Sequence, residues 1–227
     1  MTDDPDPVPA DRTPDPDRRP RRRRPLPVVT IALIAICVAL YGVGRLWSEI
    51  DSALIFAPWL GEVEPYRFIG SAFIHADFWH LIFNMYALWL VGQAIEPVLG
   101  RWRFIGLYAL SAIAGNVAVL ALADPTGISY YTFVVGASGA VFGLFGALFV
   151  IARGLSRDTT PLLILLAINL VFGFIVEGIS WQSHIGGLLI GMLLAYIYTK
   201  SQKMWTNIAA AGAVLAGLAC TAYFIYL

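Results

Sequence analysis

The chain has 227 residues, of which 59% are hydrophobic and 13% charged, and its fifteen basic residues balance its fifteen acidic ones. A soluble domain carries about 25% charged residues, so this composition excludes an ordinary soluble enzyme. The apolar residues also occur in blocks of roughly twenty, long enough to cross a bilayer and without the alternation of barrel strands. We therefore predict an all-α, multi-pass integral membrane protein.

The first 27 residues differ from the rest of the chain. They combine aspartates and prolines with a basic run that ends at Arg21–Arg24. Such a segment cannot bury a core, so residues 1–27 are predicted to form a disordered cytoplasmic tail. A membrane span follows directly, so we interpret the arginines as a patch that contacts lipid headgroups and orients the protein in the membrane. Nucleic-acid binding is the less favoured interpretation.

Seven apolar segments follow and predict seven membrane-spanning helices. Their approximate bounds are 28–46, 78–96, 102–122, 136–153, 161–179, 184–199 and 205–226. Thirteen of the fifteen basic residues fall before the first span or in the connections after spans two, four and six. The positive-inside rule then predicts a cytoplasmic N-terminus and an outside C-terminus. The short soluble segments favour a bacterial plasma membrane, with a eukaryotic secretory membrane as the alternative.

A few polar side chains within the spans gather at one depth. His80 and Asn84 lie near the start of span two, Ser138 near the start of span four and His184 at the start of span six. All three spans enter from the outer side, so at a rise of about 1.5 Å per residue the four side chains lie within about 10 Å of the outer boundary. Polar groups are costly in hydrocarbon, so this shared depth indicates a functional site.

The serine and the histidine predict a nucleophile and its base. A neutral imidazole can accept the Ser138 hydroxyl proton and later return it to a leaving amine. The nearest acidic residue in sequence is Glu177, at the end of span five, so a Ser138–His184 dyad is the simpler interpretation. Small residues four apart in spans four and six predict that these helices pack closely. Such spacing is also found between helices that carry no catalytic residues, so it is weak evidence for catalysis by itself.

The polar pair in span two predicts stabilisation of an oxyanion. His80 and Asn84 are four residues apart and share a helix face, where both can donate hydrogen bonds together with backbone N–H groups at the start of span four. A pair that merely joins helices is the alternative. Zinc bound by His75, His80 and His184 is disfavoured because there is no His-Glu-x-x-His motif and no carboxylate accompanies the histidines in the spans. The absence of an aspartate within any predicted span argues against an aspartyl protease.

These residues resemble the motifs of the rhomboid intramembrane serine proteases from about Arg67 to Gly191. The motifs are His80–Asn84 (HLIFN), Gly136–Gly139 (GASG) and His184–Gly187 (HIGG). The resemblance implies a six-helix core, predicted over residues 28–200, with a seventh C-terminal span over residues 201–227.

The resemblance also implies the roles of individual residues. Ser138 would be the nucleophile and His184 the general base, while Asn84, His80 and the backbone N–H groups of Ala137 and Ser138 would stabilise the oxyanion. His75 matches a structural histidine, and Glu96 with Gly100 matches a packing signature. Tyr66–Arg67 stands where the family often has Trp–Arg, so an aromatic–basic pair remains and the loop is still expected to lie partly in the outer leaflet. Phe142 stands where some members have a tyrosine that packs on the histidine, and we expect this stack to persist without the hydroxyl.

Two outer segments complete the prediction. The aromatic residues 47–77 are expected to form a long loop at the membrane interface. Residues 177–183, just above His184, are expected to form a lid, and the resemblance implies that this lid and span five move to admit a substrate helix.

The predicted function is a serine endopeptidase that cleaves membrane-spanning segments of other proteins near the outer face of the bilayer. It needs no metal or organic cofactor and no nucleic acid. One alternative is a catalytically silent member of the family that binds membrane clients. Another is a transporter or channel, although the polar residues lie toward one face of the membrane and no inverted repeat is visible. Cleavage by the wild-type protein that is lost in Ser138→Ala would favour the protease hypothesis over both alternatives.

Overall fold

The computed structural model describes residues 26–176 and 178–227, so Glu177 and nearly all of the tail predicted over residues 1–27 lie outside the described residues. Over this part of the chain the secondary structure is helical, with one isolated bridge between Phe56 and Val134. The α-helices are Val28–Leu46 (α1), Ser48–Leu54 (α2), Pro58–Gly61 (α3), Arg67–Gly70 (α4), Phe78–Leu99 (α5), Arg101–Leu122 (α6), Ser138–Gly154 (α7), Thr160–Ile175 (α8), Trp181–Lys200 (α9) and Met204–Tyr226 (α10).

The seven long helices coincide with the seven predicted segments, which confirms the all-α, polytopic fold. Four of them, α1, α5, α6 and α10, are long and apolar enough to cross a membrane. The apolar helices α7 and α8 are shorter, with 17 and 16 residues. Helix α9 has 20 residues and a polar first turn, and it is not among these four.

The predicted boundary between spans five and six was wrong by several residues. Helix α8 ends at Ile175, and α9 begins at Trp181, ahead of the predicted residue 184. The Ser180 hydroxyl caps α9 by accepting a hydrogen bond from the Ser183 N–H at 3.4 Å. Residues 181–183 are therefore helical, and the segment that connects the two helices is shorter than the predicted lid.

The packing core lies around α7. Its most extensive contact is with α9, and α6 packs against both of these helices, while α5 packs on α7 and α1 on α5. In contrast, α8 buries only Leu166 and Gly173, and α10 buries only Asn207. Helices α8 and α10 therefore present apolar side chains outward, which suits helices surrounded by lipid.

The start of α1 is held by a carboxylate from the end of α5. Glu96 accepts hydrogen bonds from the backbone N–H groups of Val29 and Thr30, at 2.9 and 2.8 Å, and from the Thr30 hydroxyl at 2.7 Å. The first N–H groups of a helix have no partner within it, so this carboxylate caps α1 from 66 residues away. Gly100, with φ of 81°, then turns the chain directly into α6. These contacts fit a structural role for Glu96.

The long segment between α1 and α5, which we call the outer segment (residues 47–77), is more folded than the sequence predicted. It contains α2, α3, α4 and a short 3-10 turn at Ser71–Phe73. Trp47 and Tyr66 are exposed, as expected for an interfacial position, but Phe56 is completely buried and Phe68 nearly so. Their rings lie 4.7 Å apart in a second, smaller core with residues of α6.

Arg67 fixes the outer segment from within. The guanidinium is buried and donates to the carbonyls of Ser52 and Ile55 at 2.7 and 2.8 Å, and also to the Glu64 carboxylate. It also lies 5.5 Å from the centre of the Tyr66 ring, within the range of a cation–π contact.

Candidate active site

Ser138 is the first residue of α7 and is only partly buried. The chain reaches it through Gly136, whose φ of 113° favours glycine and whose N–H donates to the Ser71 carbonyl at 2.9 Å. A Cβ atom at Gly136 would lie 2.6 Å from the His80 ring, so the glycine also lets the histidine approach the backbone. The candidate nucleophile therefore follows a turn that is tied to the outer segment and to α5.

His184 lies in the first turn of α9 and is buried. Its ring stacks on Phe142, with centroids 4.0 Å apart and planes 7° from parallel. His184 Nδ1 has no hydrogen-bond partner in the described part of the chain. The stack predicted for Phe142 is thus present, and packing rather than a carboxylate orients this imidazole.

Glycines bring α7 and α9 into backbone contact. A Cβ atom at Gly187 would overlap the carbonyl oxygen of Gly139, and one at Gly191 would overlap the carbonyl oxygen of Gly143. The close approach predicted from the small residues is therefore confirmed. Because Ser138 precedes Gly139 and His184 lies one turn before Gly187, the same contact aligns the starts of the two helices.

Helix α5 presents the two other predicted polar side chains. The Asp77 carboxylate caps α5 by accepting the His80 N–H at 2.9 Å. Asn84 is buried, and its amide donates one hydrogen bond to the His80 carbonyl at 2.9 Å. An amide nitrogen carries two hydrogens, so Asn84 retains a second donor for another acceptor.

His75 contacts the backbone just before the serine. The Ala137 N–H donates to His75 Nε2 at 3.5 Å, a long hydrogen bond. Burial, with a smaller contribution from the charge of His80, lowers the pKa of His75 to about 3. This imidazole is therefore neutral at ordinary pH, and its Nε2 atom can accept a hydrogen bond. The N–H group of Ala137, to which the resemblance gives a role at the oxyanion, therefore faces His75 here.

The first turn of α7 supplies further donors. Among the described residues no side chain caps this helix, which leaves its first backbone N–H groups available to another acceptor. The positive end of the helix dipole lies at the same point, beside Ser138. A negative charge that develops near this serine would be stabilised by both.

Two of the three histidine rings pack against each other. The rings of His75 and His80 meet edge to face with centroids 5.3 Å apart. Among residues 26–176 and 178–227, no group of three or more His, Cys, Asp or Glu side chains is arranged to hold a metal ion.

Three residues that support the site were not singled out from the sequence. Asp77 and Ser180 cap α5 and α9, and aspartate and serine are typical residues at the start of a helix. Buried Asn116 of α6 donates to the Phe68 carbonyl at 2.9 Å and to the Ser71 hydroxyl at 2.8 Å. In the sequence, Asn116 could have been recognised as a single amide side chain within an apolar span.

Phe142→Leu is expected to lower kcat about fivefold with little change in KM. Leucine keeps an apolar contact but cannot stack on the imidazole, and an aromatic pair contributes about 1 kcal/mol. The measurement is steady-state cleavage of a membrane-spanning reporter. Phe142→Tyr keeps the ring and is expected to retain most of the activity; equal losses in the two variants would contradict a role for the stack.

Comparisons with known proteins point to one family. A family model described as the Rhomboid domain matches residues 62–201, more than half of the chain. Rhomboid protease GluP of Bacillus subtilis (strain 168) is 35% identical over 141 residues, which are 60% of this chain and 26% of that protein. The putative rhomboid protease YdcA of the same strain is 34% identical over 145 residues, which are 62% of this chain and 70% of YdcA. Rhomboid-like protease 1 of Toxoplasma gondii is 31% identical over 176 residues, 71% and 58% of the two chains.

Proposed function

Because this chain belongs to the rhomboid family of intramembrane serine proteases, we propose that it is a serine endopeptidase that cleaves membrane-spanning segments of other proteins. Ser138 is the proposed nucleophile and His184 the proposed general base. One observation carries this assignment: glycine contacts between α7 and α9 align the helix starts that hold these two residues, and the Phe142 stack orients the imidazole.

In the proposed reaction the Ser138 hydroxyl attacks the scissile carbonyl carbon. His184 takes the hydroxyl proton and then gives it to the leaving amine as the carbon–nitrogen bond breaks. Water next attacks the resulting ester, again with His184 as base, and releases the second product and the free serine. The chemistry uses no metal or organic cofactor.

The developing oxyanion needs donors beside the nucleophile. We assign this role to the free amide hydrogen of Asn84, the His80 ring and the backbone N–H groups of Ala137 and Ser138. Support comes from the uncapped first turn of α7 and from the proximity of the His80 ring to Gly136. The 3.5 Å contact from the Ala137 N–H to His75 is long, so exchanging it for a charged oxygen is favourable.

Substrate entry is proposed to use α8 and the segment that joins it to α9. Helix α8 makes few contacts with the rest of the protein, and the Phe174 ring stacks on Trp181 at the start of α9 with centroids 4.7 Å apart. Parting this stack would open a path from the lipid to the start of α7. A substrate helix hides its carbonyls in hydrogen bonds, so it must unwind locally before it can be cleaved.

The proposed orientation puts the N-terminus in the cytoplasm, the C-terminus outside and the site near the outer face of a bacterial plasma membrane. Arg103, in the first turn of α6, donates to Gln202, between α9 and α10, which supports one shared side for the α5–α6 and α9–α10 connections. The helix starts that carry His80, Ser138 and His184 belong to the opposite end.

Purified protein in liposomes is expected to cut a single-span reporter in the outer part of its span. Because each glycine costs a helix about 1 kcal/mol, a reporter with two glycines below the cut should be cleaved roughly 30-fold faster than one with two leucines there. Mass spectrometry of the products locates the cut, and a fluorophosphonate probe should label the peptide that contains Ser138. Folded wild-type protein that neither cleaves several reporters nor takes up the probe would contradict the proposal and favour a silent, client-binding protein.

A further inference from the structure

The seventh helix, α10, packs along α6 but buries few of its own residues. Asn207, near its start, is the only buried residue of this fully described helix. Near its other end the Tyr226 hydroxyl donates a hydrogen bond to the Pro58 carbonyl at 2.6 Å. A cavity of about 530 Å³ adjoins Tyr226 and is lined by the C-terminal half of α10, by α6 and by the outer segment. Tyr226 is therefore a polar link between α10 and the outer segment.

Tyr226 also packs against the aromatic core of the outer segment. A Cβ atom at Gly61 would lie 2.5 Å from the Tyr226 oxygen, 2.8 Å from the Phe68 ring and 2.9 Å from the Phe56 ring. The three side chains thus converge on one glycine, at the end of α3. Since Pro58 begins this four-residue helix, the Tyr226 hydrogen bond holds α3 at the end next to Phe56.

From Phe56 a backbone connection leads to the nucleophile. The Val134 N–H donates to the Phe56 carbonyl at 2.7 Å, and the Phe56 N–H donates to the Val134 carbonyl at 3.1 Å. Two residues later Gly136 donates to Ser71, which also belongs to the outer segment, and α7 then begins at Ser138. The segment from Val134 to Ser138 is therefore tied to the outer segment by three backbone hydrogen bonds.

We propose that Tyr226 is a positioning residue for Ser138. Its hydroxyl holds α3 and Phe56, and the bridge to Val134 passes this restraint to the residues that precede the nucleophile. The inference rests on the proposed function. Arg67 and Asn116 also hold the outer segment, so loss of one hydroxyl leaves the fold in place and only loosens the approach to Ser138. A small displacement of a nucleophile lowers its rate of attack, because the reacting atoms must be aligned.

The first test compares Tyr226→Phe with Tyr223→Phe. Tyr223 lies on the same helix and is mostly exposed, so its variant is the matched control. One hydrogen bond contributes about 1 kcal/mol, so Tyr226→Phe is expected to lower both kcat and the rate of fluorophosphonate labelling of Ser138 about fivefold. KM should not change, since Tyr226 is remote from the substrate. Both rates are measured well below the unfolding temperature of each variant, so that a merely less stable protein would show no loss.

A second test addresses the bridge itself. Val134→Pro removes the N–H that donates to Phe56, whereas Val134→Ala keeps it, and the difference between these variants isolates the hydrogen bond. If the restraint passes through the bridge, adding Tyr226→Phe to Val134→Pro should lower the labelling rate by less than twofold further.

The role of Tyr226 and the protease assignment are contradicted by different results. Labelling and kcat of Tyr226→Phe equal to those of wild type, a loss confined to KM, or an equal loss in Tyr223→Phe would overturn the role of Tyr226 and leave the protease assignment standing. A wild-type protein that is not labelled at Ser138 and cleaves no reporter would overturn the protease assignment, and the inference with it.

Discussion

Ser138→Ala is expected to abolish cleavage, with a loss of at least about 10⁴-fold in kcat. Alanine removes the only atom that can form the acyl intermediate, and serine hydrolases that lose a member of their catalytic group fall by this amount or more. His184→Ala should fall to a similar level, because a serine hydroxyl without a base is a weak nucleophile. The measurement is product formation from the liposome-embedded reporter over several hours.

The double variant Ser138→Ala/His184→Ala provides a sharper test. Residues that act as one unit are strongly non-additive, so the double variant should be no slower than either single one. Ser48→Ala is a suitable control, since Ser48 is exposed at the start of α2 and far from α7 in the chain. Cleavage that persists in Ser138→Ala would mean that another residue or a contaminant performs the reaction.

Gly187→Ala is expected to cost at least about 100-fold in activity. The new methyl group would overlap the Gly139 carbonyl oxygen, which belongs to the backbone of α7 and cannot rotate away. The helices must then separate, which moves His184 relative to Ser138, and a displacement of about 1 Å can cost 100-fold. Overpacking of this kind also lowers the free energy of unfolding by about 1–3 kcal/mol.

Two further glycine variants separate the local effect from general damage. Gly191→Ala creates the same overlap one turn deeper, against Gly143, so it should destabilise the protein as much but displace the helix starts less. At Gly212 of α10 a Cβ atom meets nothing within 4 Å, so Gly212→Ala should be neutral or slightly stabilising. Thermal unfolding in detergent and cleavage are measured for all three. Full activity in Gly187→Ala would refute the assigned role of the α7–α9 contact.

The glycine contacts illustrate how much the sequence predicted. The four-residue spacing from Gly139 to Gly143 in span four, and from Gly187 to Gly191 in span six, indicated that these spans approach closely, and the structure brings their backbones together. The apolar segments likewise predicted every long helix, with errors of a few residues at the ends, chiefly around Trp181. These predictions succeeded because they depend on short stretches of chain.

The outer segment marks the limit of such predictions. Its aromatic composition suggested a loop at the membrane interface, yet Phe56 is buried and bridged to Val134. An aromatic residue suits a membrane interface and a protein core equally well, so composition alone does not distinguish them. Likewise, no local pattern indicated that Ala137 faces His75 or that Asn84 bonds within its own helix.

The sequence by itself determined that this is a polytopic helical protein and which residues carry the candidate chemistry. The physical reason is that hydrocarbon penalises polar groups, so each span must satisfy its own backbone, and the few polar side chains that remain stand out. Only the tertiary structure decided how those residues are held. The Glu96 cap on α1 and the Tyr226 bond to Pro58 join residues 66 and 168 positions apart. Such contacts depend on how the helices pack together, which no stretch of sequence of helical length encodes.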